Sequence, residues 1–501
     1  MQPFCPTRFR SHATCVAFLL TLTLPQAVTA EPATAANPLD GLDLSPAQPT
    51  APSAPAPFLV DPAPAPTTPT APPATDVRPT KRAVDPPLLQ FRTGAATWTA
   101  SGETRARSEY RKDFAFQPDG GGQHAFYLLR TRLGLLAELP AGAAFVEGLD
   151  GRDLTDEASP KRQYNPLDLH QAWVELRKPA KMPVILKVGR QELNLGARLL
   201  IASPAWANYV RAYDLVRATV LGERWKVDAF GGRVVVSDPV AFDPWKDAEE
   251  LWGLYGTLQA TDNISVEAYF LGLQTRTTAA APIKGEDGKT GDLSRYTPGL
   301  RLVGSALDHA LDFEAEVALQ RGSRANDDVS SHAQHLSVAY RFATPMAPRV
   351  KVELNRASGD SDPKDGTSQT FVPLYGTNHD PYGMVDFFRW QNMEQAGLIL
   401  SAHPHATVEV FVEGHLFALA DAHDSWVDTG GNKLRAGRVN GGARTAGQEL
   451  DARVAWTPSS HFKVDVGAAR FLPGQLVDDT QAAGKDVGPA DWVYLQLSAA
   501  L

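Results

Sequence analysis

From about residue 91 onward the chain reads as short stretches of alternating polar and apolar residues, joined by connections sorted by length. Tight turns at 139–142, 222–224, 260–263, 306–309, 403–406 and 457–460 alternate with long polar excursions at 153–167, 194–212, 275–296, 358–393 and 418–447. A soluble sandwich gives no reason for such sorting. A β-barrel crossing a bacterial outer membrane does, because its periplasmic turns are short and its external loops long.

The alternation itself has period two, the repeat of a strand with one polar and one apolar face. Leu311, Phe313, Ala315, Val317 and Leu319 oppose Asp312, Glu314, Glu316, Ala318 and Gln320. Val408, Val410, Val412 and Leu416 oppose Glu409, Phe411, Glu413 and His415, and Val350, Val352 and Leu354 oppose Lys351, Glu353 and Asn355. Tyr127, Leu129, Leu133, Leu135 and Leu139 likewise oppose Arg130, Arg132 and Glu138. Eighteen strands are expected, starting near residues 96, 126, 143, 168, 184, 213, 224, 251, 264, 297, 309, 334, 348, 394, 406, 448, 461 and 490. An even count returns both ends to the periplasm. Trp225, Trp252, Trp456 and Trp492 fall at strand ends, where an interfacial girdle would place them. The last strand runs to Leu501, which suits closure of a barrel without free edges. The expected fold is therefore all-β: an antiparallel transmembrane barrel of the outer-membrane type.

Two segments precede it. Residues 1–30 read as a secretory signal, with basic Arg8 and Arg10, an apolar run at 13–24 and the small-residue site Val28-Thr29-Ala30. The apolar run is too short to span a bilayer as a helix. Both cysteines, Cys5 and Cys15, lie inside it, so processing at Ala30 would leave a chain without disulfides. Residues 31–90 contain sixteen prolines, as in Asp61-Pro-Ala-Pro-Ala-Pro66, and cannot bury a core. As extended polyproline II they would reach on the order of 190 Å, a periplasmic tether toward cell wall or export components. The barrel domain takes residues 91–501. A net charge of -9 gives no reason to expect a nucleic-acid partner.

Two blocks carry a resemblance. The first contains Arg130-Thr-Arg132, residues 168–177, Lys187-Val-Gly-Arg-Gln-Glu-Leu-Asn-Leu-Gly196 and Tyr213-Asp-Leu-Val-Arg217. The second spans 371–383 with Tyr375-Gly-Thr-Asn-His-Asp380 and Tyr382-Gly383, followed by Asp386, Asn392 and 416–421. Together they make residues 95–501 resemble the bacterial alginate-export outer-membrane porin family. The resemblance implies an eighteen-stranded barrel that exports an anionic polysaccharide through an arginine-rich constriction. It carries Arg130, Arg132, Arg190 and Arg217 over as lumen positions. Strand phasing adds Arg152, Lys187, Arg233, Arg301, Arg341 and Arg453. Arg190 and Arg233 are out of phase with their own strands, so each needs a bulge or a strand end to face inward.

Guanidinium suits such a path, because it stays charged and offers a planar fork to carboxylates. The same polar faces also carry Glu175, Asp228, Glu267, Glu353 and Asp465, which can pair with the arginines and stiffen the wall. Three readings follow: an export channel for an anionic sugar polymer or oligomer, a general or small-solute porin, and an outer-membrane enzyme or cell-wall anchor. The first is preferred, with membrane lipid and the anionic solute as partners, no catalysis, no cofactor and no metal. Gly285-Glu-Asp-Gly-Lys-Thr290 lacks phosphate-loop spacing, Asp360, Asp362 and Asp365 read as a solvated loop, and His403-Pro-His405 as a turn.

Overall fold

The computed structural model describes residues 89–114, 122–155, 164–178, 183–379, 381–481 and 487–501. The signal segment, nearly all of the proline-rich stretch and Asp380 of the second motif block lie outside them. The barrel strands in chain order begin with β1 Ala96–Lys112, β2 Gln123–Leu139, β3 Gly142–Asp153, β4 Asn165–Lys178, β5 Val184–Gln191 and β6 Tyr213–Leu221. They continue through β7 Trp225–Val234, β8 Glu249–Thr261, β9 Ile264–Thr275, β10 Leu293–Ala306, β11 Leu311–Arg324 and β12 Asp327–Arg341. The last six are β13 Arg349–Ala357, β14 Met393–His405, β15 Val408–Ala418, β16 Thr445–Ser459, β17 Phe462–Pro473 and β18 Ala490–Ala500.

Each strand pairs antiparallel with the next, and β18 closes the ring on β1 from Glu103↔Ala500 to Lys112↔Asp491. Closure leaves no strand edge facing lipid, which hydrocarbon requires. A short strand, Leu89–Thr93, folds back on the start of β1 after a turn at Gly94.

Alternation sets the two faces of the wall. Leu133, Val174, Leu254, Leu300, Leu354, Leu398, Val412, Leu450 and Leu495 are exposed on the outside, forming an apolar belt around the ring. The charged partners in each strand point inward and are mostly buried there.

β12 begins at Asp327, seven residues before the expected start. Its early inward residues Asp327, Val329, Ser331 and Ala333 are buried, but Asp328 and Ser330 on the outer side are polar. Pairing continues above the apolar belt after the hydrophobic signal has ended, so β11 and β12 meet across only Ala325 and Asn326. Trp492 is also not a girdle residue. It lies on the inner face, 1% exposed, stacked on Tyr494 and edge-on to Trp206. Trp225, Trp252 and Trp456 keep the outward phase.

The apolar core sits inside the barrel. The β5–β6 loop (192–212) and the β13–β14 loop (358–392) both enter the lumen. They pair with each other through the parallel bridge Ile201↔Tyr375 and the hydrogen bonds Ala202 N–Tyr375 O, Tyr375 N–Leu200 O and Thr377 N–Arg198 O. Their Leu193, Ile201, Phe371, Tyr382, Phe388 and Trp390 pack against Phe230, Leu251, Phe417 and Phe471 of the wall.

Candidate functional site

β1 and β2 bring four arginines to the same side of the lumen, against the tip of the 192–212 loop. Arg105 and Arg130 both donate to the Ala205 carbonyl at 2.7 Å, and to that of Ala207 at 3.1 and 3.2 Å. Arg107 donates to the Trp206 carbonyl at 2.6 Å and lies 3.9 Å over its indole. Trp206 in turn stacks on His379 of the other infolded loop at 3.9 Å between centroids. The loop tip thus satisfies buried main-chain carbonyls with charged donors, which are stronger than neutral ones.

Arg132, one inward position further down β2, is a hub. It bonds Glu147 of β3 at 2.8 Å and Glu192 at the start of the loop at 2.6 Å. A register shift in β4 turns both His170 and Gln171 inward beside it. His170 Nε2 lies 3.0 Å from Glu192. Burial acts to raise the Glu192 carboxyl, but the His170 hydrogen bond and the Arg132 charge outweigh it and hold it at about 2.

Five more of the expected positions stand on the inner wall, spread around the ring. Lys187 Nζ lies 3.7 Å over Trp173, and Arg217 pairs with Asp228 at 2.9 Å. Arg301 holds Glu267 and Glu314, each at 2.8 Å. Arg453 lies 4.2 Å over Phe411. Arg341 lines a cavity of about 320 Å³ near the periplasmic end, with Arg349, His403 and Glu409.

Arg152, Arg190 and Arg233 are not brought there. Arg152 shares the outward phase of Val146 and pairs with Asp150 at 2.8 Å. Arg190 continues the outward row of Leu186 and Val188, and forks onto Asp214 with two bonds of 2.9 Å. Arg233 sits opposite Asp214 on β7, again outward, near Asp247 and Glu250. No bulge reverses their phase, and each finds acidic partners on the outer rim instead.

The sequence profile described as alginate export matches residues 98–488 of this chain. The chain belongs to the alginate export family. As a member it is an outer-membrane β-barrel of the channel class. No curated protein matches it in sequence. Among solved structures, OccK2 (OpdF) of Pseudomonas aeruginosa, in complex with glucuronate, is similar with a TM-score of 0.55 at 11% identity, over 81% of this chain and 98% of that one. OpdQ of the same organism gives 0.54 at 12%, over 81% and 97%. OccAB2 of Acinetobacter baumannii gives 0.51 at 11%, over 80% and 98%. At such identities the likeness concerns the fold.

The family motif led to Arg130 and Arg132 but passed over Arg105 and Arg107. The signal was present: Glu103, Arg105, Arg107 and Glu109 alternate strictly, one charged residue in two, through β1. Arg211 and Arg389 were missed because they lie on loops where no strand phase applies, and Arg295 because it precedes the strand start expected near residue 297.

Proposed function

We propose that this member of the alginate export family passes an anionic polysaccharide or oligosaccharide through its charged lumen without covalent chemistry. One observation carries the reading: arginines inside the barrel that lack an acidic partner. Among the described residues, Arg105, Arg211, Arg295 and Arg389 form no ion pair. Arg105 donates through its two terminal nitrogens to carbonyls and Asn208, and Arg211 donates to the carbonyls of Ala202 and Tyr375. Arg295, 5% exposed, has Arg324 and Arg389 as charged neighbours. Burial, with the repulsion of Arg211, pulls the Arg389 guanidinium down to about 10. Arg389, with Arg211 and Arg295 as charged neighbours, sets up with them a positive field that low-dielectric walls focus. A polyuronate, with one carboxylate per sugar, answers it at many weak sites, which is what passage requires.

Arg130, Arg132, Lys187, Arg217, Arg301, Arg341 and Arg453 are proposed to line the path. The proline-rich stretch is proposed to stand in the periplasm as a tether to cell wall or export components.

A second reading, a porin for small acidic sugars, is favoured by the apolar packing of two loops in the lumen. OccK2, a barrel of similar fold, was solved with a single uronic acid, glucuronate. Single-channel recordings in a salt gradient separate the two. Export predicts anion selectivity and block by polyuronate at lower sugar concentration than by free glucuronate. Permeation by glucuronate with no effect of polymer supports the small-solute porin, and cation selectivity overturns the anionic path. Arg295→Ala is the clean probe, because it orphans no carboxylate. It is expected to move the reversal potential toward the cation side, as is the Arg130→Ala, Arg132→Ala pair.

A further inference from the structure

The inner wall holds two clusters in which an imidazole faces two carboxylates. In the first, Glu147, His170 and Glu192, the guanidinium of Arg132 bridges the acids. The second lies on β15 and β16, where register sets Glu413 opposite Asp451 and His415 opposite Glu449. His415 Nε2 is 3.3 Å from Glu413 Oε2 and 3.7 Å from Asp451 Oδ2. Among the described residues, no lysine or arginine pairs with Glu413, Glu449 or Asp451.

Asp451 is 1% exposed and neither of its oxygens has a hydrogen-bond partner. Only at looser geometry do the Met384 backbone and the Glu449 carboxyl reach it, and its charged neighbours are His415 and Glu413. Glu449 accepts one bond from Val385 N at 2.9 Å, and its other oxygen has none. Other buried acids of the wall are answered: Glu109 by Arg107 and Arg111, Asp228 by Arg217, Asp465 by Lys463, Glu353 by Lys351, Glu316 by the Tyr269 hydroxyl. A buried carboxylate without a cation is costly. The second cluster therefore lacks the positive charge that Arg132 supplies to the first.

We propose that Glu413, His415 and Asp451 bind one divalent transition cation of the zinc class. One imidazole nitrogen with two carboxylate oxygens is a ligand set such ions take, leaving further positions for Glu449 or water. Tetrahedral ligands at zinc stand roughly 3.4 Å apart, and the three donor atoms here lie within 4.8 Å of one another, two of the spacings being 3.3 and 3.7 Å. Binding through Nε2 puts the ring proton on Nδ1. The Gln395 amide lies 2.8 Å from that atom; to accept the proton it must turn oxygen-first and give up the bond its Oε1 takes from Asn355 Nδ2 at 2.6 Å. The ion would sit directly beneath residues 383–385 of the infolded loop and join its floor to the wall.

The test uses untagged barrel in detergent, stripped with EDTA and titrated with zinc chloride by calorimetry and thermal unfolding. One zinc per barrel and a raised unfolding temperature are expected. Asp451→Asn and His415→Gln should each weaken binding by at least about tenfold. Asp451→Asn should also unfold at a higher temperature than the wild type in EDTA, because it removes an unanswered charge; that result shows the variant is folded. Glu413→Gln serves as a second folded variant. Absence of zinc binding by the wild type, or unchanged affinity in Asp451→Asn and Glu413→Gln, overturns the proposal.

Discussion

A single guanidinium, that of Arg132, decides whether two buried carboxylates are tolerable. Arg132→Ala leaves Glu147 and Glu192 facing each other's charge with only the His170 imidazole beside them, and should destabilise the barrel by about 3–5 kcal/mol. Adding Glu192→Gln should recover part of that loss, as read by urea unfolding in lipid vesicles. Titration of the same group gives a second expectation. The Glu192 carboxyl is held at about 2 against an ordinary 4.5. A depressed carboxylate contributes stability above its unfolded value and loses it as pH falls, here from about 4.5 toward about 2. The contribution is on the order of 3 kcal/mol, and Glu192→Gln should flatten the acid limb of the stability profile. At this scale the inward positions of Arg130, Arg132, Lys187, Arg217, Arg301, Arg341 and Arg453 were legible from parity alone, because a strand's side chains have only two directions. Arg190, carried over by the resemblance, and Arg152 and Arg233, added by strand phasing, were expected inside and stand outward, because no bulge reverses their strands.

Among the elements, the two infolded loops matter most. They meet through backbone bonds at Ile201 and Tyr375, so they form one plug-like layer rather than two separate flaps. Since Cys5 and Cys15 are the chain's two cysteines and both precede residue 30, an engineered pair has no competitor in the barrel domain. Oxidising Ile201→Cys with Tyr375→Cys should leave the barrel folded and small-ion conductance present. Passage of a polyuronate should fall sharply, if the loops part to admit it, and return on reduction. Unchanged polymer passage in the oxidised variant would mean the path runs beside the joined loops. Their pairing was not legible, because it joins stretches far apart in sequence whose partners show no shared periodicity.

Across the whole molecule, the outer belt and the inner charges hold the ring in its place. Leu300→Arg, at the middle of β10 on the lipid side, should cost about 2–4 kcal/mol in vesicles. The same change at Val303, on the inner face, should cost far less, and equal losses at the two positions would contradict the assignment of faces. Inside, buried carboxylates stand on strands all round the ring, most of them answered by an arginine or lysine on the same or a neighbouring strand.

The sequence by itself determined the barrel, its eighteen crossings and which face of each strand is charged. Those follow from local rules: a two-residue repeat, turn length and the cost of unpaired backbone in hydrocarbon. Only the tertiary structure decided which charges are answered and which are not. Arg132 and Asp451 look alike in the chain, each an ionised residue on an inward phase. Their difference comes from neighbours on adjoining strands and folded loops, and the energy of a buried charge depends on those neighbours rather than on its own strand.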